Sequence, residues 1–503
     1  MNNIINIINF VRGFDPEGKD YELINTTKQE LGLCKKFNFP ASFLIQYDAL
    51  IRDDFLELFN NADNIEKGIW IEIVKPLVNA CGIEWRGRQG MDWDWYVNPG
   101  FLMAYSQKER RMLCDEIMNK FKEKFGYFPE VVGSWLLDSY SMDYLNCKYD
   151  IKAFVICREQ LSVDAYTLWG GYYNHGYYPS KYNMLSPAQN EENQINTPVF
   201  RMLGIDPMYE YDNMRYETLG EKFSIDFPIY TLEPMWKMGK DRRLVKWMFD
   251  THFCEDTVNY GYLQVGQENS FKWSDIKKGW SIQAELIDEE RSKGNIRLEL
   301  LSETAEWFKN NFKFTPPTSI VAKEDWSENG LKSIWYSCRN YRINIFADND
   351  ILMIRDIFKF DENYKERYYE EKCIEWNGIY DNLPVVDGLR WSDEVVRCGL
   401  YFNGKLKNLE VNKKDCCQIV TADLDGRNIK IILTENEIEI MGSCELEFMK
   451  KKDIDTCIGV MENNIDFLYN RYHYKIDIYG NIRKSQNGYS ITSKNDKIKF
   501  ALT

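Results

Sequence analysis

Residues 106–138 read SQKERRMLCDEIMNKFKEKFGYFPEVVGSWLLD and spell one complete helix-then-strand unit. Ser106 with Glu109 is a capping box, in which two side chains satisfy backbone N–H groups at a helix start. Leu113, Ile117 and Phe121 recur every fourth residue, which gives the helix one apolar face. Gly126 tolerates the left-handed conformation of a helix end. The run 130–137 that follows is too short for a second helix and reads as a buried strand, running directly into Asp138.

Working outward, the same punctuation recurs from residue 1 to about 312. Strand-type runs stand at 4–10, 41–47, 68–74, 130–137, 152–157, 198–203, 227–232 and 261–266, with helical patterns between them. Alternation of this kind predicts a parallel sheet, and so many strands predict a (β/α) barrel of seven or eight units. The longer insertions, 75–105, 158–197 and 204–226, all follow strand C-termini, the end where such barrels build their active sites. After PPTS at 316–319 the texture becomes short alternating strands between charged turns, as in YRINIFADNDILMIRDIFKF at 341–360. The predicted fold is therefore α/β: a barrel over 1–312, followed by an all-β antiparallel sandwich over 313–503.

Net charge is -15 over 503 residues, and the pI is near 5.0. That balance argues against nucleic acid and anionic membrane surfaces as partners, since both require clustered Lys and Arg. No stretch approaches the roughly 18–20 uncharged apolar residues of a membrane-crossing helix. The opening, MNNIINIINFVRGFDPEG, lacks a basic leader and a small-residue cleavage site, so it reads as a first strand. Thirteen cysteines without a C-x-x-C pair read as reduced thiols, and with the missing leader they point to the cytoplasm. A homo-oligomer is compatible with this composition.

Aromatic residues are abundant, with 15 Trp, 32 Tyr and 28 Phe, and they are densest in YTLWGGYYNHGYY at 166–178. Their spacing fits neither the period of a strand nor that of a helix, so the segment reads as a loop. Gly170, Gly171 and Gly176 let its backbone place rings at angles other residues forbid. Such a loop is either an aromatic satellite core or a platform for a flat, hydroxyl-rich ligand such as a sugar. Its position after the fifth strand, beside Glu159 and Asp164, favours the walls of a sugar subsite, with Trp169 and His175 as contacts.

Carboxylates recur at the strand ends: Asp15, Glu72, Asp138, Glu159, Asp164, Asp206, Glu233 and Glu268. Any one of them could cap the next helix. Together, beside Trp and Tyr, they suit glycoside hydrolysis, where one carboxylic acid protonates the leaving oxygen and a second carboxylate attacks or activates water.

Family resemblance sharpens this. LCKKFNFPASFLI (33–45) and GYFPEVVGSWLLDSYSMDYL (126–145) are similar to segments of the polysaccharide deacetylase and glycoside hydrolase superfamily of distorted (β/α) barrels. CREQLSVDAYTLWGG, FRMLGIDPMYEYD, TLEP and GQENSF resemble an uncharacterised bacterial family regarded as glycosidases, with an all-β C-terminal domain. The resemblance implies an acid and a nucleophile at the ends of strands four and seven. In this chain those positions are Asp138, after the apolar SWLL that includes Trp135, and Glu233, oriented by Pro234; Glu268 is a rival for either role. Asp15, Glu72, Trp135, Glu159, Asp164, Trp169, His175 and Asp206 are the expected substrate contacts.

The sequence departs from the deacetylases at their metal site, which needs two histidines four residues apart plus an aspartate. Here the histidines are His175, His252 and His473, far apart in the chain. No cofactor is expected, although a carboxylate-only divalent site from Asp15, Glu72 and a neighbour stays open. Alongside the glycoside hydrolase, a metal-dependent carbohydrate deacetylase and a non-catalytic carbohydrate-binding protein remain alternatives.

Overall fold

The structure, a computed structural model, describes residues 2–15, 22–60, 62–163, 165–209, 211, 231–393, 395–451, 457–485 and 488–503. Strand β1 (Asn3–Val11) is buried at every position, as a strand covered on both faces must be. Its three asparagines are stitches. Asn3 donates to the Asn295 carbonyl at 3.1 Å, Asn6 to Thr304 Oγ1 at 2.8 Å, and Asn9 Oδ1 accepts from the Gln267 N–H at 3.1 Å.

Around β1 stand β2 (Ala41–Gln46), β3 (Ile65–Trp70), β4 (Val131–Gly133), β5 (Ala153–Cys157), β6 (Val199–Met202) and β7 (Gly261–Val265). Their order is β6-β5-β4-β3-β2-β1-β7, and every pairing is parallel. The ring nearly closes where the Gly204 N–H donates to the Gln264 carbonyl at 3.1 Å. A short strand absent from the sequence reading, β8 (Arg297–Glu299), pairs with the first half of β1. The strand expected over 227–232 lies mostly outside the described residues; Thr231 forms an antiparallel bridge with Ile205.

The opening unit folds as its local signals dictate. Helix Gln107–Phe125 begins at the Ser106–Glu109 capping box, buries Leu113, Ile117 and Phe121, and stops at Gly126, whose φ is 84°. Beyond Thr318 the chain forms two antiparallel sheets, of nine and eight strands among the described residues. Strand Cys417–Leu424 alternates half-buried and buried positions, with Val420, Ala422 and Leu424 facing the core between the sheets.

Barrel and sandwich are also paired directly. Strand Gly378–Asp381 from the second half lies parallel to Tyr166–Trp169, the start of the aromatic stretch, which is therefore partly strand. The described cysteines are all free thiols. Among the described residues no helix is long and apolar enough to cross a membrane.

Candidate active site

Three strand ends converge on one arginine. Arg12 follows β1, Glu72 lies two residues past β3, and Glu268 lies three past β7, forming a bridge with Phe10. Arg12 grips Glu72 with a two-pronged contact, Nε to Oε2 at 3.0 Å and Nη2 to Oε1 at 3.1 Å. Its third nitrogen, Nη1, meets Glu268 and also donates to Ser270 Oγ at 3.0 Å. Side-chain exposure is 5% for Arg12, 2% for Glu72 and 14% for Glu268, so only Glu268 of the two carboxylates reaches solvent appreciably. A planar fork matches a carboxylate in a way an ammonium cannot, which fixes both glutamates in direction as well as charge.

Glu233 comes to the same end of the barrel through the residue that precedes Glu268. Gln267 Nε2 donates to Glu233 Oε1 at 3.2 Å, and Trp236 Nε1 and Thr231 Oγ1 donate to Oε2 at 3.1 and 3.2 Å. Burial raises the Glu233 carboxyl above its ordinary range, against the nearby positive charge of Arg158 and these hydrogen bonds. The site thus holds one carboxyl biased toward its acid form and two that are ion-paired.

The floor is aromatic. Phe10 stacks on Trp70 at 4.4 Å between ring centres, and Trp135 stands edge-on to both, at 4.8 and 5.3 Å. The guanidinium of Arg12 lies 4.9 Å from the centre of the Trp93 ring. Gln46, level with Trp70 in the sheet register, is buried with neither amide atom partnered, and the Trp70 and Trp93 indole N–H groups also lack partners. Buried polar groups without partners are costly, so such a cluster at a barrel mouth suits a polar ligand.

No family model and no curated protein matches the sequence. Among solved structures, one from Parabacteroides distasonis, provisionally named a glycoside hydrolase/deacetylase, covers 76% of this chain and 90% of its own at 14% identity, with a TM-score of 0.54. Another, from Pseudomonas aeruginosa and named with similar reserve a polysaccharide deacetylase, covers 62% and 92% at 12% identity, with a TM-score of 0.37. The chain shares the fold of the first of these structures, a nearly closed parallel barrel.

Within this barrel the other expected site residues are placed differently. Asp138 is the N-cap of the helix Ser139–Lys148: it accepts from the Ser141 N–H at 3.0 Å and Ser141 Oγ at 2.8 Å, and it pairs with buried Arg110 at 2.9 Å. Glu159 faces the sandwich. It pairs with Arg201 at 3.0 Å and Arg342 at 2.7 Å, and it receives the Gly170 N–H at 2.7 Å. Asp206 caps a turn at the Met208 and Tyr209 N–H groups and accepts from Trp326 Nε1 at 2.8 Å. Asp15 lines a surface pocket of about 710 Å³ with Gly13, Lys28 and Arg52. Asp164 is outside the described residues.

The aromatic stretch is interior, in place of the sugar-facing wall expected for it. Trp169 is 0% exposed and packs with Tyr173, Trp335 and Phe358 under the sandwich, and Tyr173 stacks on Trp335 at 3.8 Å. At Gly170 φ is 81°, and a Cβ there would come within 2.4 Å of Phe358, so only glycine allows this docking. His175 is also 0% exposed, edge-on to Tyr260 at 5.3 Å, and burial lowers it to about 4.

Both oxygens of Glu72 are committed to Arg12, and among the described residues no three His, Cys, Asp or Glu side chains come together as metal ligands. A guanidinium supplies the positive charge at the mouth of this barrel.

Glu72, Glu233, Glu268 and Trp135, all expected from the sequence, come to this same end of the barrel. Arg12, Trp70 and Trp93 were not singled out. Gln46 and Arg12 nevertheless end apolar runs, where a polar side chain breaks the strand pattern and can point into a barrel mouth.

Proposed function

We propose that this chain is a carbohydrate-active hydrolase of the glycoside hydrolase type, with Glu233 as general acid and Glu268 as nucleophile or base. The observation that carries this reading is the contrast at one barrel mouth. Glu233 is raised by burial, whereas Glu268 sits on a guanidinium. A carboxyl raised by burial suits a proton donor, and a carboxylate held by a guanidinium suits an anion. Glu233 would protonate the departing glycosidic oxygen. Glu268, the more exposed of the Arg12-bound pair, would attack the anomeric carbon or activate a water, while Glu72 fixes the guanidinium from the other side. Trp135, half-buried and edge-on to the buried Phe10 and Trp70, offers an apolar face to a sugar ring.

Turnover of a panel of aryl glycosides by the parent, Glu233→Gln and Glu268→Gln proteins tests the assignment. Removing a general acid costs about 10²–10⁴-fold on poor leaving groups. Glu233→Gln should therefore lose least on dinitrophenyl glycosides, which need no protonation, and Glu268→Gln should lose activity on every substrate. Full activity in both amide variants, at unchanged melting temperature, would sink the reading. So would activity that dialysis against a chelator abolishes and a divalent ion restores.

A further inference from the structure

A second group of rings runs outward from the mouth. Trp93, which carries Arg12 near its face, lies 6.1 Å from Trp95; Trp95 lies 5.7 Å from Tyr96; and Tyr96 meets Trp376 at 4.8 Å. The series starts buried at Trp93, passes through the half-buried Trp95 and Tyr96, and ends at Trp376, which is 48% exposed.

These rings are held in place. Buried Asp94 accepts from the Arg88 backbone N–H and from Arg88 Nε, both at 3.0 Å, and Arg88 lies 3.7 Å over Trp95. Trp376 belongs to the second half of the chain, but its carbonyl accepts from the Val97 N–H at 2.8 Å, and Asn98 Nδ2 donates to the Ile374 carbonyl at 2.7 Å. The Ile73 N–H just past β3 donates to the Gly100 carbonyl at 2.8 Å, which ties the whole segment to the strand end that bears Glu72. Half-exposed aromatics anchored at this many points are costly for a protein that makes no use of them, and rings preorganised next to polar groups bind with little entropy loss.

We propose that Trp95, Tyr96 and Trp376 form a subsite track for an extended glycan, so that the substrate is a polysaccharide or long oligosaccharide whose chain runs out over these rings. The occupant is argued from continuity. The track leads from the Trp93–Arg12 contact, and the Trp93 indole N–H has no partner. The acidic balance of the chain fits a neutral or cationic polymer better than an anionic one. The proposal rests on the barrel mouth being a carbohydrate site, but the direction of the track does not depend on which glutamate reacts.

Affinity electrophoresis in native gels cast with hydroxyethyl cellulose, soluble starch, xylan or glycol chitosan tests it without requiring turnover. The parent should be retarded in at least one gel. Trp376→Ala should weaken that retention about tenfold, the effect of losing one half-buried aromatic contact, without a change in melting temperature. Tyr479→Ala, an exposed ring remote in the sandwich, serves as the control and should be retained like the parent. No retardation in any gel, equal retention of parent and Trp376→Ala, or an equal loss in Tyr479→Ala would each overturn the track. Self-association that Trp376→Ala abolishes, with no polysaccharide retention, would overturn it in favour of an interface between copies. Retention lost in Trp376→Ala, with no glycoside cleaved by the parent, would leave the track standing and remove the hydrolase reading. Cleavage with unchanged retention would do the reverse.

Discussion

Replacing Arg12 by Met tests whether the guanidinium holds the barrel mouth together. Methionine keeps an unbranched stem beside Trp93 but removes the guanidinium's contacts with Glu72, Glu268 and Ser270. Glu72 is then a buried carboxylate without a cation, and breaking a buried pair from one side costs about 3–5 kcal/mol. Glu268 is more exposed, so water screens it and its share is smaller. At roughly 2–4 °C per kcal/mol for a large domain, the barrel transition in a calorimetric scan should fall by about 10 °C. Adding Glu72→Gln to Arg12→Met neutralises the stranded charge and should recover about 2 kcal/mol, although the same substitution in the parent is destabilising. If Arg12→Met melts within about 2 °C of the parent, or if the second substitution recovers nothing, the guanidinium is not what stabilises these carboxylates.

The docking of the two halves and the acid limit of stability give further expectations. Gly170→Ala must strain the backbone at φ 81° and push on Phe358, so it should cost at least about 1–3 kcal/mol and loosen the barrel from the sandwich; limited proteolysis unchanged from the parent would contradict this. Glu159→Gln takes the buried carboxylate from Arg201, while Arg342 keeps Asp356 at 2.9 Å, and should cost about 3 kcal/mol, read as a drop in melting temperature. His175 and His252 are fully buried, and burial lowers them to about 4 and about 3 from an ordinary 6.5. The unfolded chain therefore binds protons that the folded one refuses. Their contribution is complete above pH 6.5 and is lost as pH falls toward 4, about 3 kcal/mol for His175. His175→Asn should flatten the fall of melting temperature with pH over that window; an unchanged slope would show that carboxylates alone set the acid limit.

The sequence carried most of the barrel because the barrel's signals are local. A capping box, a four-residue apolar repeat and a terminal glycine lie within one short segment, and each helix and strand declares itself without its neighbours. The three-residue β8 has too little pattern to declare anything, and it exists because β1 needs a partner along its first half. Strand-end position pointed to Glu72, Glu233 and Glu268, which share one end of the barrel, but position alone does not tell a reactive carboxylate from a cap. The Asp138-Ser-Tyr-Ser run is itself a helix-start signal, and the structure uses Asp138 as an N-cap. The fate of YTLWGGYYNHGYY was decided by Trp335, Arg342 and Phe358, far away in the chain. Nothing within the stretch says whether solvent or a second domain covers it, since large rings spaced by glycines serve both purposes equally well.

The same long-range pairing explains where polar function sits in this molecule. Glu159 and Glu72 both follow barrel strands, both are 2% exposed, and both are matched to arginines. What separates them is the company beyond the ion pair. Glu159 is closed over by Arg342 from the sandwich and by the Gly170 N–H, so its charge is spent on joining two domains. Glu72 shares its arginine with Glu268, which is open to solvent on one side, next to unpartnered indole and amide groups. A buried ion pair sealed by protein stabilises an interface, whereas one left with an open neighbour and unfilled hydrogen-bonding groups retains the capacity to act on a ligand. On that criterion the Arg12 cluster, among the described residues, is where the proposed chemistry is to be sought.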